Sequence, residues 1–221
     1  SAEANTAKIK NCRIIIIKKG GEDQHAEDTG RITTTASGDT DATTLTFTPG
    51  SAGWYLILAA ADVDNSSTTP RTRAIIEIDG TNKVTSEIHV GDTTTVWSWG
   101  AMCVAALSKA SHSIKIQYST STATTTTAGI QRRRIFALRL DKFLNAYFDN
   151  STAISRTTST SGSYVDKATV TKTPVEGKHI IIGGQTIDES STAVSVFSKL
   201  LEDSSDVNEA LKEPSNASDR W

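Results

Sequence analysis

Apolar and polar residues alternate with a period of two along much of the chain, a pattern that predicts β-strands. The segment SIKIQY shows the alternation most clearly. Its residues Ile114, Ile116 and Tyr118 are predicted to point inward, and Lys115 and Gln117 outward. A strand of this kind has one face on a core and one face in water.

The segment WYLILAAA (54–61) departs from this alternation, because it is apolar at every position. Pro49 and two glycines precede it, and Asp and Ser-Ser-Thr follow it, which favours a bounded strand over a buried helix. We predict that this strand is central in its sheet and covered on both faces. The sequence DGTN (79–82) predicts a tight hairpin turn, since Asp-Gly tolerates positive φ.

Strands are predicted at about 29–36, 42–48, 54–63, 72–79, 83–90, 94–106, 112–119 and 129–140. Only residues 108–111 and the tail around 199–212 suggest helix. Eight short strands in one unit are typical of an antiparallel β-sandwich of two four-stranded sheets, most simply a jelly roll. An immunoglobulin-like sandwich is the alternative, although it is usually shorter and has seven strands.

The chain also repeats itself. GWYLILAAADVDNSST (53–68) matches GKHIIIGGQTIDESST (177–192), and TAGIQRRRIFALRL (127–140) matches TAKIKNCRIIIIKK (6–19). Shorter matches join TTTASG to TTSTSG, TLTFTP to TVTKTP and, more weakly, AIIEIDG to FSKLLED. The offset stays near 121 to 125 residues throughout, which indicates a duplicated structural unit.

The phase of the repeat predicts three segments. Residues 1–20 correspond to the closing strand of a preceding unit or to a donor strand, 21–140 to a complete β-sandwich unit, and 141–221 to a second, incomplete unit. Three explanations stay open: the chain is a window on a longer array, residues 6–19 complete the open sheet of a unit in the same or a neighbouring chain, or the second unit has diverged. Array and donation both predict assembly.

The succession TFTPGSAGWYLI, AIIEIDG, LSKASHSIKIQYST and RRRIFALRL resembles a repeat of phage and metagenomic virion-associated structural proteins. In general shape it is similar to the jelly-roll heads of complement and tumour-necrosis-factor-like proteins. The tract LLEDSSDVNEALKEPSNASDRW (200–221) looks like the middle of the same repeat. The resemblance covers nearly the whole chain. It implies a role in an assembled particle or fibre and brings no catalytic residues with it.

Composition narrows the function classes. A net charge of -2 gives no basic field, so no nucleic-acid partner is expected. The longest apolar run, WYLILAAA, has eight residues, and the run Ile14 to Ile17 has four, far fewer than the ~20 of a membrane helix, so no membrane insertion is expected. The two cysteines, Cys12 and Cys103, lack metal-site spacing, and two buried thiols are favoured over one disulfide. Neither a cofactor nor a metal ion is expected.

Catalytic signatures are absent from the sequence: it contains no GxSxG, HExxH, phosphate-binding glycine loop or GxGxxG before a helix. We therefore expect that the protein is not an enzyme. The histidines, His25, His89, His112 and His179, fall in different segments, and His112 and His179 are interpreted as surface or core residues.

Two Asp-x-Asp pairs could contribute oxygen ligands to a calcium ion, but the signal is weak because calcium takes six to eight oxygens. The pairs are Asp39 with Asp41 and Asp62 with Asp64. For Asp64, whose counterpart Asp188 is likewise followed by Ser-Ser-Thr after one residue, we prefer a turn role. In that role its carboxylate accepts hydrogen bonds from the following backbone N–H groups.

Arg132, Arg133 and Arg134 form the one basic cluster. Successive strand residues point to opposite faces, so the three are predicted to form a solvated edge or an inter-subunit ion pair, not a single phosphate-binding patch. Trp97 and Trp99 share one strand face. They are core residues if that face points inward, and a subunit contact or a sugar-stacking surface if it points outward.

We therefore expect a non-enzymatic structural protein of a multi-subunit assembly, such as a virion decoration, a head or tail fibre or an extracellular filament, located on a virion or an extracellular surface. Its expected partners are itself or other virion or filament subunits. A carbohydrate-binding or adhesion module that recognises surface glycans is the alternative. The candidate assembly or glycan contacts are Trp97, Trp99, Arg13, Ile14 and Ile16.

Overall fold

A computed structural model of the chain describes residues 21–68, 70–90, 93, 96–121, 126–140, 169, 196–202 and 205–212. The strands in chain order are β1 (Gln24–Asp28), β2 (Ile32–Thr34), β3 (Thr40–Phe47), β4 (Gly53–Asn65), β5 (Thr72–Ile78), β6 (Thr81–Ile88), β7 (Trp97–Leu107), β8 (His112–Thr120), β9 (Ala128–Arg139), β10 (Val196–Glu202) and β11 (Ser205–Lys212).

The first nine strands form two antiparallel sheets. One sheet has the order β1–β9–β4–β7, with β2 also paired to β9, and the other has the order β3–β8–β5–β6. The chain passes from one sheet to the other at six of the eight connections between these strands, as in a jelly roll. The predicted all-β antiparallel sandwich is confirmed.

The core lies between the two sheets and follows the alternation of each strand. Tyr55, Ile57 and Ala59 of β4 meet Ile114 and Ile116 of β8 in one buried cluster. Tyr118 belongs to the same cluster, whereas Lys115 is ion-paired to Asp41, as the alternation of SIKIQY predicts. The core therefore takes alternate residues from strands of both sheets.

Most strand positions agree with the predictions, and four features differ. Strand β1 was not predicted, and the strand predicted at 29–36 is limited to β2. The helix suggested at 108–111 is instead the connection between β7 and β8. The helix suggested at 199–212 is wrong, because β10 and β11 form an antiparallel hairpin there.

The predicted Asp-Gly turn joins β5 to β6. Asp79 and Gly80 both have positive φ, 51° and 77°, which is the geometry of a tight hairpin turn that matches strand twist. The backbone N–H of Gly80 donates to Glu77 Oε1 at 3.0 Å. The β5–β6 register shifts by one residue between Ile76 and Glu77.

The β10–β11 hairpin repeats this pairing. Leu200 pairs with Asn208 as Ile76 pairs with Val84, so both members lie 124 positions later, and the register shifts again at the next residue. Two residues separate the strands in both hairpins. The weakest stretch of the sequence repeat, AIIEIDG with FSKLLED, thus lies in two hairpins of equal register, although its alignment offset of 123 is one less than the offset of 124 between the strand pairings.

Strand β4 is central, as predicted, because β9 and β7 pair with its two edges. The prediction that it is covered on both faces is wrong for the described residues. Its inward face is buried, whereas Trp54 on the other face is 43% exposed. That open face is the most unusual surface of the sandwich.

Candidate assembly face

The outward-pointing residues of β4, β7 and β9 form an apolar surface on the β1–β9–β4–β7 sheet. Register places them in cross-strand rows: Leu138, Leu56 and Val104 in one row, and Phe136, Leu58 and Met102 in the next. Trp54 lies beside Ala106 at the end of the patch. We call this surface the outer apolar face, and its residues are Trp54, Leu56, Leu58, Met102, Val104, Phe136 and Leu138.

Two aromatic side chains of this face are exposed to solvent. Trp54 is 43% and Phe136 42% exposed, and both are among the few large apolar residues that the fold leaves exposed. His25 of β1 stacks on Phe136 with ring centroids 5.9 Å apart and an interplanar angle of 17°. Leu56 on the same face is buried, so the face combines a buried aliphatic residue with two exposed aromatic residues.

The outward face of the other sheet differs in polarity. Its cross-strand rows contain Thr44, Lys115 and Glu77, and Thr46 with Ser113. Thr44 and Thr46 are exposed, and Lys115 carries an ion pair to Asp41 at 2.8 Å. These rows are thus polar, although the next row contains the buried Ile75 beside Gln117. The outward face of the β1–β9–β4–β7 sheet is instead apolar over half of its length.

The remaining half of the apolar sheet's outward face carries paired charges. Arg132 Nε lies 2.5 Å from Asp62 Oδ2, and Arg134 Nη2 lies 2.9 Å from Glu27 Oε1. Arg132 has a φ of 48° at the point where the β4–β9 register shifts. These pairs form within the unit, and β9 lies between β1 and β4, so the predicted edge position is wrong. The Arg132 and Arg134 side chains are about half exposed, in agreement with the predicted solvation.

Arg133 points the other way and is 1% exposed. Its guanidinium donates to Thr43 Oγ1 on the opposite sheet at 2.9 Å and to the carbonyl of Gly30 at 2.5 Å, and it pairs with Asp28 at 2.5 Å. The pKa of Asp28 is lowered, first by the Gly30 N–H bond and then by Arg133. Arg133 therefore joins the two sheets.

A polar depression of about 310 Å³ lies at the charged end of this face. Its lining residues are Arg31, Asp64, Asn65, Ser66, Thr93 and Val96. Arg31 Nε and Nη2 donate to the two carboxylate oxygens of Asp64 at 2.9 and 2.8 Å, and this hydrogen bonding raises the pKa of Arg31. The depression therefore presents a bidentate ion pair beside hydroxyl groups.

The turn role predicted for Asp64 belongs to its neighbour. The Asn65 side chain accepts the N–H of Ser67 at 3.1 Å and donates to Thr72 at 3.2 Å, so Asn65 organises the turn after β4. Asp64 instead binds Arg31. The shared Ser-Ser-Thr could not reveal this, because Arg31 lies 33 residues away.

The carboxylates considered for calcium all contact cationic side chains. Asp39 pairs with Arg73 at 3.3 Å, and Asp41 pairs with Lys115, whose hydrogen bond lowers the pKa of Asp41. Asp62 pairs with Arg132 and Asp64 with Arg31. Within the described part of the chain, no group of three or more His, Cys, Asp or Glu residues is placed to hold a metal ion.

Two of the residues predicted as contacts, Trp97 and Trp99, are not on this face. Trp99 is 6% exposed in the core, and Trp97 packs against the same core, so their shared face points inward. Arg13, Ile14 and Ile16 lie outside the described residues. Their aligned counterparts are Arg134, which pairs with Glu27, and Ile135 and Ala137, which are core residues.

Sequence reasoning missed the outer apolar face, although a signal for it exists. In RIFALRL, Ile135 and Phe136 are apolar in succession, and so are Ala137 and Leu138. A strand that is apolar at both parities has two apolar faces. The same pattern occurs in β4 and β9, so the sequence predicts an apolar outer face on both strands. It does not predict what binds to that face.

His112 is buried at the start of β8 and holds two loops together. Its Nδ1 lies 2.6 Å from Asp79 Oδ2, and its Nε2 lies 3.1 Å from the Ser108 carbonyl oxygen. Burial opposes ionisation of Asp79, but hydrogen bonds from His112 and from the Ser113 N–H outweigh it, and the pKa of Asp79 is lowered. Cys103 is a free thiol on the inward face of β7, and burial raises its pKa to about 11.

No protein-family model matches the sequence, and no curated protein matches it. Solved structures are similar at low identity. Dimeric latent PorU from Porphyromonas gingivalis is 8% identical over 53% of this chain, with a TM-score of 0.37, and the chain spans only 13% of PorU.

Particles with T=1 symmetry derived from infectious bursal virus give 10% identity over 63% of this chain and 37% of the viral chain, with a TM-score of 0.40. A family 35 carbohydrate-binding module from Clostridium thermocellum gives 15% identity over 51% of this chain and 97% of the module, with a TM-score of 0.30. Likenesses at this level say nothing about what the chain binds or builds. The described residues contain no helix with the length and hydropathy of a membrane span.

Proposed function

We propose that the protein is a structural subunit of a multi-subunit assembly, and that the outer apolar face is its contact surface. The observation that supports the proposal is the asymmetry of the sandwich. One sheet presents Thr44, Thr46 and Lys115 to solvent, whereas the other presents Trp54 and Phe136. Apolar patches of a few hundred Å² on soluble domains are commonly interaction sites.

The resemblance of the repeat to virion-associated proteins favours a virion decoration, a head or tail fibre or an extracellular filament as the assembly. Partners would be copies of this chain or other subunits of the same particle. Strand donation is part of the proposal: residues 6–19, which match β9 in sequence, would pair with a unit of another copy.

The test is sedimentation velocity of the full chain between about 1 and 100 μM, a range that brackets contacts of moderate affinity. We expect the weight-average mass to rise with concentration above that of one chain. A particle that stays monomeric over the whole range would overturn the proposal. Deleting residues 1–20 tests donation by itself: an unchanged mass distribution after the deletion would remove that part.

Carbohydrate binding is the second candidate, and the polar depression supports it. Arg31 and Asp64 together carry no net charge, and they present donors and acceptors beside the Ser66 hydroxyl. Vicinal hydroxyl groups of a sugar need donors and acceptors at this spacing. A depression of about 310 Å³ is large enough for one sugar ring.

A glycan array with the full chain tests the second candidate. We expect a ligand to be retained by the wild type and lost in Asp64→Asn, which weakens the Arg31 pair. Asp41→Asn is the matched control, because Asp41 lies on the opposite sheet and pairs with Lys115. Equal binding by both variants, or no binding by the wild type, would exclude this site.

A further inference from the structure

We infer that the outer apolar face binds the same face of a second copy of this unit, so that two identical surfaces pack on each other. This inference rests on the proposed function, because it names the partner of the assembly surface. Two observations support a like-with-like contact: the apolar residues at aligned positions of the sequence repeat and the charge pattern beside the face.

Four of the seven residues of the face align with apolar residues elsewhere in the sequence repeat. The aligned pairs are Leu56 with Ile180, Leu58 with Ile182, Phe136 with Ile15 and Leu138 with Ile17. Trp54, which also belongs to the face, aligns with Lys178. A contact between like units requires the face in every unit, whereas a single unrelated partner requires it in only one.

The charges beside the face are self-complementary. Two acids and two bases alternate there as the pairs Glu27–Arg134 and Asp62–Arg132, so the margin has no net formal charge. In an isologous contact, residue i meets residue j and residue j meets residue i. A two-fold arrangement can therefore bring acids opposite bases without repulsion between the two copies.

The size of the face indicates how the contact works. Three strands about 4.8 Å apart, with about five residues each at about 3.4 Å, give a patch on the order of 300 Å². Two such patches hide on the order of 600 Å², which is below the roughly 1,200 Å² of a stable interface. One contact is thus weak, and several such contacts within one assembly would raise the overall affinity through effective concentration.

Charge complementation in the full chain tests the inference. Phe136 is the best position, because its side chain is 42% exposed and makes no core contact. Phe136→Glu and Phe136→Lys are each expected to weaken self-association at least tenfold in sedimentation velocity. Mixed in equal amounts, the two variants are expected to associate again, since an acid on one face then meets a base on the other.

The controls are Thr46→Glu and Thr46→Lys, which add the same charges to the exposed face of the opposite sheet. They are expected to associate like the wild type. Near-UV circular dichroism and the unfolding midpoint verify that every variant keeps the fold.

The outcomes separate this inference from the proposed function. If the wild type assembles and the Phe136 variants assemble equally well, the face is not the contact and the inference fails, while the proposed function stands. If each variant is monomeric and the mixture stays monomeric, the face meets a different surface and the inference also fails. A wild type that is monomeric throughout overturns both.

Discussion

Gly129 of β9 lies directly against the carboxylate of Asp64 on β4. A Cβ at position 129 would overlap Asp64 Oδ1 and would lie 2.7 Å from Arg31 Nη2. Because Gly129 has no side chain, the Arg31–Asp64 ion pair can lie against the backbone of β9. The aligned residue in the segment 6–19 is Lys8.

Gly129→Ala is expected to displace Asp64 and separate it from Arg31. The steric cost in a packed position is about 1–3 kcal/mol in the free energy of unfolding. Gly38→Ala is the matched control, because a Cβ there meets nothing within 4 Å and is expected to be neutral within about 0.5 kcal/mol. Urea unfolding measures both variants, and equal effects would contradict the account.

Adjacent arginines on β9 should differ sharply in their effect on stability. Arg133→Met removes a buried guanidinium that serves Thr43, Gly30 and Asp28, and we expect a loss of about 3 kcal/mol. Arg134→Met removes only a half-exposed pair with Glu27 and is expected to cost less than about 1 kcal/mol. Unfolding in urea distinguishes them, and a smaller loss for Arg133→Met would refute its joining role.

These two arginines illustrate which features the sequence could predict. Alternation placed Arg133 and Arg134 on opposite faces, and in the same way it located eight strands. The acid that each one binds depends on strand order: Asp28 and Glu27 become neighbours only because β1 pairs with β9 across more than 100 residues. Strand β1 itself, QHAED, lacks the β-branched residues that mark strands, so pairing and not propensity forms it.

The outer apolar face was partly predictable for a related reason. Continuous apolarity of WYLIL indicates correctly that both faces of β4 are apolar. Periodicity describes one strand, however, and cannot tell whether a second layer exists to cover the outward face. The prediction of a covered strand and the observed exposure of Trp54 differ for that reason.

Asp79 predicts an acid-dependent contribution to stability. Its folded pKa is lowered, so the ionised carboxylate stabilises the fold above about pH 4, the pKa of an unperturbed Asp, and this contribution is lost as the pH falls through the folded pKa. Asp79→Asn keeps a residue that tolerates positive φ but removes the charge. Between pH 5 and about 2, the range in which carboxyl groups titrate, we expect the variant's unfolding free energy to fall less steeply than that of the wild type. Parallel pH profiles would contradict the role of Asp79.

Cys103 should be almost unreactive while the protein is folded. With its pKa raised to about 11, about one thiol in a thousand is ionised at pH 8, against about a quarter for an unperturbed thiol. In a Cys12→Ser variant, alkylation at pH 8 is expected to be on the order of 100-fold slower than in 8 M urea, because thiolate is the reacting species. Peptide mass spectrometry measures the rate, and equal rates in both conditions would disprove burial of the thiol.

Because the two hairpins have equal registers, exchanging glycine and serine at the second turn position is expected to have opposite effects on their stability. Asp79 and Gly80 separate β5 from β6, and Asp203 and Ser204 separate β10 from β11. Gly80 has a φ of 77°, which costs a residue with a side chain about 1 kcal/mol, so Gly80→Ser should destabilise the first hairpin by that amount. If residues 196–212 copy this turn, Ser204→Gly should stabilise the second hairpin to a similar extent. Hydrogen exchange of peptides covering 72–88 and 196–212 measures each opening free energy separately. Unchanged exchange at 196–212 in Ser204→Gly would show that the second hairpin closes through a different turn, and the duplicated unit would lose its main structural support.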